Sequence, residues 1–127
     1  MNTQIQQALR TDQVIDITTK GRKSGEPRRI EIWFHNVDDR IYITGTPGKR
    51  NWYANLTANP HFTFHLKESI QADLPATARP ITDPAERRTV LARITQKLNQ
   101  TLNRTTDLET WVADSPLVEV TFDSLPS

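Results

Sequence analysis

Short runs of alternating apolar and polar residues recur along this chain, and only one stretch has a helical period long enough to compete with them. VIDITTK (Val14–Lys20) alternates around Ile15 and Ile17, and HFTFHL (His61–Leu66) alternates again. Alternation of this kind puts every second side chain on one face of a strand. RRIEIWFHNV (Arg28–Val37) reads as one longer strand, with Ile30, Ile32 and Phe34 on one face. Asp38-Asp39 then turns the chain into RIYITG (Arg40–Gly45), giving a hairpin. IQADLPATARPI (Ile70–Ile81) reads as extended, its prolines calling for an edge or irregular pairing, and PLVEVTF (Pro116–Phe122) is the last strand.

The helical stretch is DPAERRTVLARITQKL (Asp83–Leu98). Asp83 is its N-cap, Pro84 lies in the first turn, Glu86 stands at the capping-box position, and Val90, Leu91, Ile94 and Leu98 form an apolar stripe. RNWYANLTANP (Arg50–Pro60) reads as a short helix stopped before Pro60, and LETW (Leu108–Trp111) as one further helical turn. Six strands with one main and one short helix, mostly joined as meanders, predict a mainly β fold: a six-stranded antiparallel barrel with helices packed outside it. The 127 residues fit a single domain spanning 1–127.

Composition narrows the function. Apolar residues make up 35% of the chain, so part of the core is expected to come from a bound ligand or a partner subunit. Cysteine is absent, which removes disulfides, thiolate metal sites and cysteine nucleophiles. His35, His61 and His65 fit no zinc spacing with carboxylates, so no metal site is expected. GRKSG is not a nucleophile elbow, because Lys23 holds the central place and Ser24 is displaced. GTPGK is not a phosphate-binding P-loop, because Ile43 stands where the first glycine belongs and Arg50 where a serine or threonine would bind magnesium. The N-x-[ST] matches at Asn55, Asn99 and Asn103 are chance in a chain read as cytosolic. The N-terminus lacks the apolar core of a signal peptide, and no run approaches the roughly 18 apolar residues of a membrane span.

The formal net charge is only +1, yet TTKGRKSGEPRR (residues 18–29) gathers Lys20, Arg22, Lys23, Arg28 and Arg29 against the single acid Glu26. A solvated hairpin turn is the plain reading. Two features favour an anion site. Gly21 and Gly25 permit positive φ, so backbone N–H groups can converge on one point. Arg28 and Arg29 fall on opposite faces of the following strand, so one of them can join Arg22 and Lys23 around a phosphate or carboxylate.

TTKGRKSGEPRRIEIWF, GTPGKRNWYANLTANP and ETWVADSPLVEV, in this order and spacing, resemble the deazaflavin-dependent nitroreductase family. The resemblance covers roughly residues 14–66 and the last strand. It implies a split β-barrel of the flavin-reductase type, in the pyridoxamine-phosphate-oxidase-like superfamily, that binds coenzyme F-420, a deazaflavin, with FMN as the alternative. It implies further that Arg22, Lys23, Ser24 and Arg28 hold the cofactor's phosphate and acidic tail. The backbone of Thr44, Gly45, Thr46, Gly48 and Lys49 would line its ring, and Asn51 and Trp52 would close the ring pocket. Elementary requirements of a flat tricyclic ring agree: Gly45 and Gly48 allow close backbone approach, and Trp52, Tyr53 or Trp33 can supply a flat wall. The plain alternative for Trp52 and Tyr53 is helix-to-barrel packing, and for Trp111 a place in the core rather than over the site. The loop GTPGKRNW is shorter than is usual in the family, and NQTLNRTTDLETW lacks the tyrosines that other members use to hold bulky nitro compounds.

The expected function is an oxidoreductase that uses the reduced deazaflavin, or FMN, to transfer hydride to quinone, nitro or activated-alkene acceptors. No catalytic side chain is assigned, because the cofactor carries the chemistry, although Lys49 or His65 can supply a cation or proton nearby. The alternatives are a non-catalytic split-barrel module that sequesters a flavin-type cofactor, and a nucleic-acid binder using the basic turn. The small net charge argues against the last. By analogy with other split barrels a homodimer is one expected assembly, and the family's monomer-like members, with an N-terminal helix, offer the other; the sequence does not choose between them.

Overall fold

The computed structural model describes residues 2–103 and 105–123. Seven strands and four helices follow in the order α1 (Thr3–Thr11), β1 (Val14–Lys20), β2 (Pro27–Trp33), β3 (His35–Val37), β4 (Arg40–Thr44), α2 (Asn51–Ala58), β5 (His61–Leu66), β6 (Ala72–Pro80), α3 (Pro84–Leu102), α4 (Leu108–Asp114) and β7 (Leu117–Phe122). All pairings are antiparallel, in the order β2-β1-β5-β6-β7-β4-β3. The two edge strands are consecutive in the chain, so the sheet curls until its ends meet at one covalent corner. Among the described residues no helix is long and apolar enough to cross a membrane.

That corner is why there are seven strands rather than six. The single strand expected over Arg28–Val37 breaks at Phe34, whose N–H is donated to Gln13 O at 3.0 Å. Before Phe34 the chain pairs with β1, and after it with β4. Only the far end of the expected apolar face is buried: Phe34 is 1% exposed and Ile30 is 37% exposed. The Asp38-Asp39 hairpin is present, with φ of 54° and 68°, the left-handed pair a two-residue turn requires.

The region from Ala72 to Pro80 is a central strand, contrary to the expectation from its prolines. Pro75 O accepts the Asp123 N–H, so the face on which proline lacks a donor lies just past the end of β7. No ladder bond to β5 is lost. α1 carried no sequence expectation; Asn2 caps it by accepting the Ile5 N–H, and it buries Ala8 and Leu9. In α3 the whole predicted stripe is buried. Asp83 accepts the Glu86 N–H, but the Glu86 carboxylate goes to Arg79 instead of returning to the cap.

Two apolar clusters result. Ile15, Ile17, Phe34, Leu56, Phe62, Phe64 and Val118 fill the barrel. Phe64 meets Phe34 and Phe122 edge-on, with ring centroids 5.3 and 5.1 Å apart. Outside it, α3 and α4 pack Val90, Leu91, Ile94, Leu98 and Trp111 onto Tyr42, Ile81 and Leu117. Trp111 therefore belongs to the core, and Trp33 packs against the same outer cluster.

Candidate cofactor site

The turn between β1 and β2 is built from its own backbone. Gly21 N–H is donated to Glu26 O at 2.8 Å and Gly25 N–H to Gly21 O at 2.9 Å. Gly25 has φ of 73°, whereas Gly21 is needed for a different reason. A Cβ at Gly21 would stand 2.8 Å from Ser24 Oγ and 3.2 Å from Glu26 O. Of the two glycines expected to use positive φ, only Gly25 does.

Asn55, on α2, holds this turn in place. It is 4% exposed. Its Oδ1 accepts from Arg22 N (3.1 Å) and Arg22 Nη1 (3.3 Å), and its Nδ2 donates to Thr19 Oγ1 at 3.1 Å. The sequence reading gave Asn55 no role in the site. The available signal was helical spacing, since Asn55 falls one turn after Asn51 and Trp52 on the same face. Replacing Asn55 with alanine takes the partner from the buried Thr19 hydroxyl and from the Arg22 backbone N–H that holds the turn. It is expected to cost about 2 kcal/mol in urea unfolding at pH 7.

Between turn and helix lies a cavity of about 430 Å³, and six of the expected site residues line it: Arg22, Lys23, Ser24, Arg28, Asn51 and Trp52. The strand alternation resolves as expected. Arg28 faces the cavity, while Arg29 Nε pairs with Asp16 Oδ2 at 3.0 Å on the other face. Arg29, Arg40, Arg79, Arg88 and Arg93 each have a carboxylate partner. Among the described residues, the three cations of the cavity have none. The N–H groups of Lys23 and Ser24 likewise have no protein acceptor among the described residues. Ser24 Oγ accepts the Glu26 N–H at 3.1 Å, which leaves its own hydrogen to donate. The surroundings are thus rich in donors and uncompensated in charge, as a phosphate or carboxylate requires.

The remaining expected residues lie elsewhere. Gly48 and Lys49 line a second cavity of about 590 Å³, with Tyr53, Arg87 and Ser115. Thr44, Gly45 and Thr46 line neither of these two cavities. Thr44 is buried and donates its hydroxyl to Pro116 O at 2.6 Å. A Cβ at Gly45 would make only ordinary contact with Pro116, so space does not force glycine there. Thr46 is gripped by Arg50, which donates to its carbonyl and hydroxyl and to Lys49 O. This loop clamp also went unread in the sequence. Gly48 has φ of 130° and donates its N–H to Asp114 O at 3.0 Å, tying the loop to the end of α4.

Trp52 is 7% exposed, so most of its ring serves the barrel core, and Tyr53 meets it edge-on at 6.0 Å. His65 stands apart from both cavities. Its ring nitrogens bond Thr18 Oγ1 and Asp73 Oδ1, each at 2.7 Å, on the outer face of the sheet. Lys49 therefore remains as the only one of the two proposed cation donors beside a cavity. Among the described residues no group of three His, Asp or Glu side chains is placed to hold a metal ion.

Residues 1–113 match the family model described as F420H(2)-dependent quinone reductase. The fold is similar to that of a candidate pyridoxamine 5′-phosphate oxidase from Listeria innocua, at a TM-score of 0.71 and 14% identity, over 95% of this chain and 92% of that one. It is similar to a structure described as an F420 reductase, at a TM-score of 0.68 and 19% identity, over 94% and 93%. A structure described as an F420-H2 dependent reductase matches at a TM-score of 0.53 and 21% identity, over 87% and 95%. These likenesses establish the split-barrel fold, and the family match goes further: the chain belongs to the F420H(2)-dependent quinone reductase family, oxidoreductases whose cofactor is the deazaflavin coenzyme F-420.

Proposed function

We propose that the first cavity anchors coenzyme F-420 by its phosphate and acidic tail, through Arg22, Lys23, Ser24 and Arg28. Its ring would run along Asn51, Trp52 and the Thr44–Lys49 loop toward a quinone acceptor. One observation carries this reading: three cations with no carboxylate partner among the described residues line one cavity, in a chain of net charge +1. The bound cofactor supplies a hydride, which with one proton takes a quinone to its hydroquinone. The chain's own task is to bind, orient and exclude water. The turn fixes the anionic end, and the Arg50-clamped loop and the first turn of α2 set where the ring lies. Nitro compounds and activated alkenes are further acceptors of the same hydride chemistry, and FMN is the alternative cofactor.

The test is a fluorescence titration with coenzyme F-420 and, separately, FMN, for wild type, Lys23→Ala and Arg28→Ala. A hydrogen bond to a charged group contributes about 1.5–3 kcal/mol. Each variant is therefore expected to weaken F-420 binding by roughly 10- to 100-fold, with the loss shrinking as salt is raised. Variants that bind as tightly as wild type overturn the assignment. Binding without oxidation of the reduced cofactor by any acceptor would instead favour a module that only holds it. The proposal treats residues 1–127 as one cytoplasmic domain. It includes a homodimer, supported by the five exposed residues of edge strand β2, and sedimentation of the same samples reads the assembly.

A further inference from the structure

Arg10, Arg29, Arg40, Arg79, Arg88 and Arg93 are each held by a carboxylate. Arg22 has a different kind of partner. Its Nη1 donates to Oδ1 of Asn55, an uncharged amide, at 3.3 Å, and its backbone N–H donates to the same atom at 3.1 Å. Aspartate has the same shape and would accept both bonds more strongly, because a charged acceptor makes the stronger hydrogen bond. Nor does Thr19 require an amide. Its hydroxyl accepts from Asn55 Nδ2 at 3.1 Å, but a hydroxyl can equally turn its own hydrogen toward a carboxylate. The contacts of Asn55 do not by themselves select asparagine.

Charge supplies the selection. Asn55 lines the first cavity together with Arg22, Lys23 and Arg28. A carboxylate at position 55 would stand against the Arg22 guanidinium and cancel much of its field, and it would repel an anion in the cavity directly. Asn55 is 4% exposed, so salt and water would screen such a charge only weakly. The amide anchors the guanidinium and takes none of its charge. Its place in the fold matters as well. Asn55 belongs to α2, whose Asn51 and Trp52 line the same cavity, and the residue it holds is in the turn between β1 and β2. One side chain therefore ties the basic turn to the helix across the cavity between them.

We propose that Asn55 is a positioning residue that sets the site's preference for anions: its neutral amide fixes the Arg22 guanidinium at the cavity and leaves all three cations uncompensated. This rests on the reading of the first cavity as the cofactor's anion anchor. Shape and charge contribute separately, and two substitutions separate them. Asn55→Asp keeps the acceptor for Arg22 and adds a negative charge. Asn55→Ala removes the acceptor and adds no charge.

The experiment uses the full chain, with coenzyme F-420 titrated by fluorescence and inorganic pyrophosphate by calorimetry, beside melting temperatures of the same samples. Asn55→Asp is expected to melt near wild type, the new ion pair with Arg22 offsetting the cost of burial. It should nonetheless bind F-420 at least about 10-fold more weakly, the scale of one charged contact, and with a shallower dependence on salt. Asn55→Ala is expected to do the reverse: it melts lower, yet loses only about three-fold in affinity, because Arg22 keeps its charge. Arg22→Gln, made alone and together with Asn55→Ala, decides the matter even if the buried carboxylate unfolds the chain. Both changes act on one guanidinium, so their losses of affinity should be less than additive. Asn55→Asp binding as tightly as wild type overturns the proposal and assigns the amide to geometry alone. Equal losses in the Asp and Ala variants assign Asn55 to the shape of the turn, and additive losses with Arg22→Gln show that it acts elsewhere. Wild type that binds pyrophosphate but not F-420 sinks the cofactor anchor, and the same comparison on pyrophosphate still decides the role of Asn55. Wild type that binds neither anion overturns both.

Discussion

Replacing Arg87 with methionine is expected to lower the unfolding free energy by about 3–4 kcal/mol, a large fraction of the 5–15 kcal/mol a domain of this size has to lose. Arg87 is 9% exposed and sits on α3, where its apolar neighbours Val90 and Leu91 face the outer core. Its guanidinium has no carboxylate partner among the described residues. It gives Nε to Val112 O (2.8 Å), Nη1 to Ile81 O (2.8 Å), and Nη2 to Trp111 O (3.3 Å) and Ser115 O (2.6 Å). Trp111 and Val112 stand in the last turn of α4, where Trp111 O accepts the Ser115 N–H but Val112 O has no intrahelical donor, and a cation there also meets the negative end of the helix dipole. One side chain thus joins α3, the end of β6, the end of α4 and the approach to β7. Methionine preserves much of the volume but leaves the carbonyls of Ile81, Val112 and Ser115 to find water, while Trp111 O keeps the Ser115 N–H, and the adjoining cavity allows some of them to do so. That access holds the expected loss below the sum of four charged hydrogen bonds. Arg87→Lys should recover only part, because an ammonium cannot span the fork of acceptors a guanidinium reaches. Urea unfolding of the three proteins at pH 7 reads the order directly. If the methionine variant falls by less than about 1 kcal/mol, the guanidinium is not what holds α4.

Arg87 also shows where sequence reasoning stops. Its helix was legible in kind from its start through Leu98, though it runs on to Leu102: the Asp83 cap, Pro84 and the stripe are all local signals, and all are realised. Local period does not say which charged residue on such a helix will be drawn inside by carbonyls 24 to 28 positions away. The strands follow the same division. Alternation identified β1 and β5, whose faces are set by their own side chains. It could not reveal the corner at Phe34, where the cause is a hydrogen bond to Gln13 and a change of partner strand. α1 has only Ile5, Ala8 and Leu9 to mark a face, too few for a period to stand out. In the site, charge content and β alternation were enough to put one of Arg28 and Arg29 with Arg22 and Lys23 and the other apart, and the family resemblance chose Arg28. For the positioning residues, spacing could put Asn55 on the face of Asn51 and Trp52 but could not name its partners Thr19 and Arg22, and the Arg50 clamp rests on a tight local fold that no spacing rule encodes. For the same reason the loop residues Thr44–Lys49 were expected in one pocket with the basic turn, whereas three of them, Pro47, Gly48 and Lys49, line a second cavity and Thr44 is a buried strut.

Acid is expected to destabilise this fold through one histidine before its carboxylates respond. His35, on β3, is 3% exposed, and its Nδ1 has no partner. Burial first, and the positive charge of Lys97 second, push its pKa down from 6.5 to about 4. Tyr42, opposite it across the β3–β4 ladder, offers a phenol whose own ionisation burial pushes upward, so no anion there offsets Lys97. An unfolded chain binds a proton at His35 near pH 6.5, while the folded chain refuses it until about pH 4. Stability from this group is therefore complete above pH 6.5 and is lost as pH falls from there to 4. The slope approaches 1.4 kcal/mol per pH unit, for a total of about 3 kcal/mol. Carboxylates act lower. For Glu119, burial raises the pKa, but hydrogen bonds from Arg79 and Arg40 outweigh it and hold the group below its ordinary value. Arg79 does the same for Glu86. Their contributions persist above the ordinary carboxylate range and vanish below it. The two effects separate in a series of urea titrations from pH 7.5 to 4. Wild type should lose stability already between pH 6.5 and 5, and His35→Leu should be nearly flat there while falling at more acidic pH as before. A variant that keeps the wild-type slope between pH 6.5 and 5 would show that His35 is not the group being protonated.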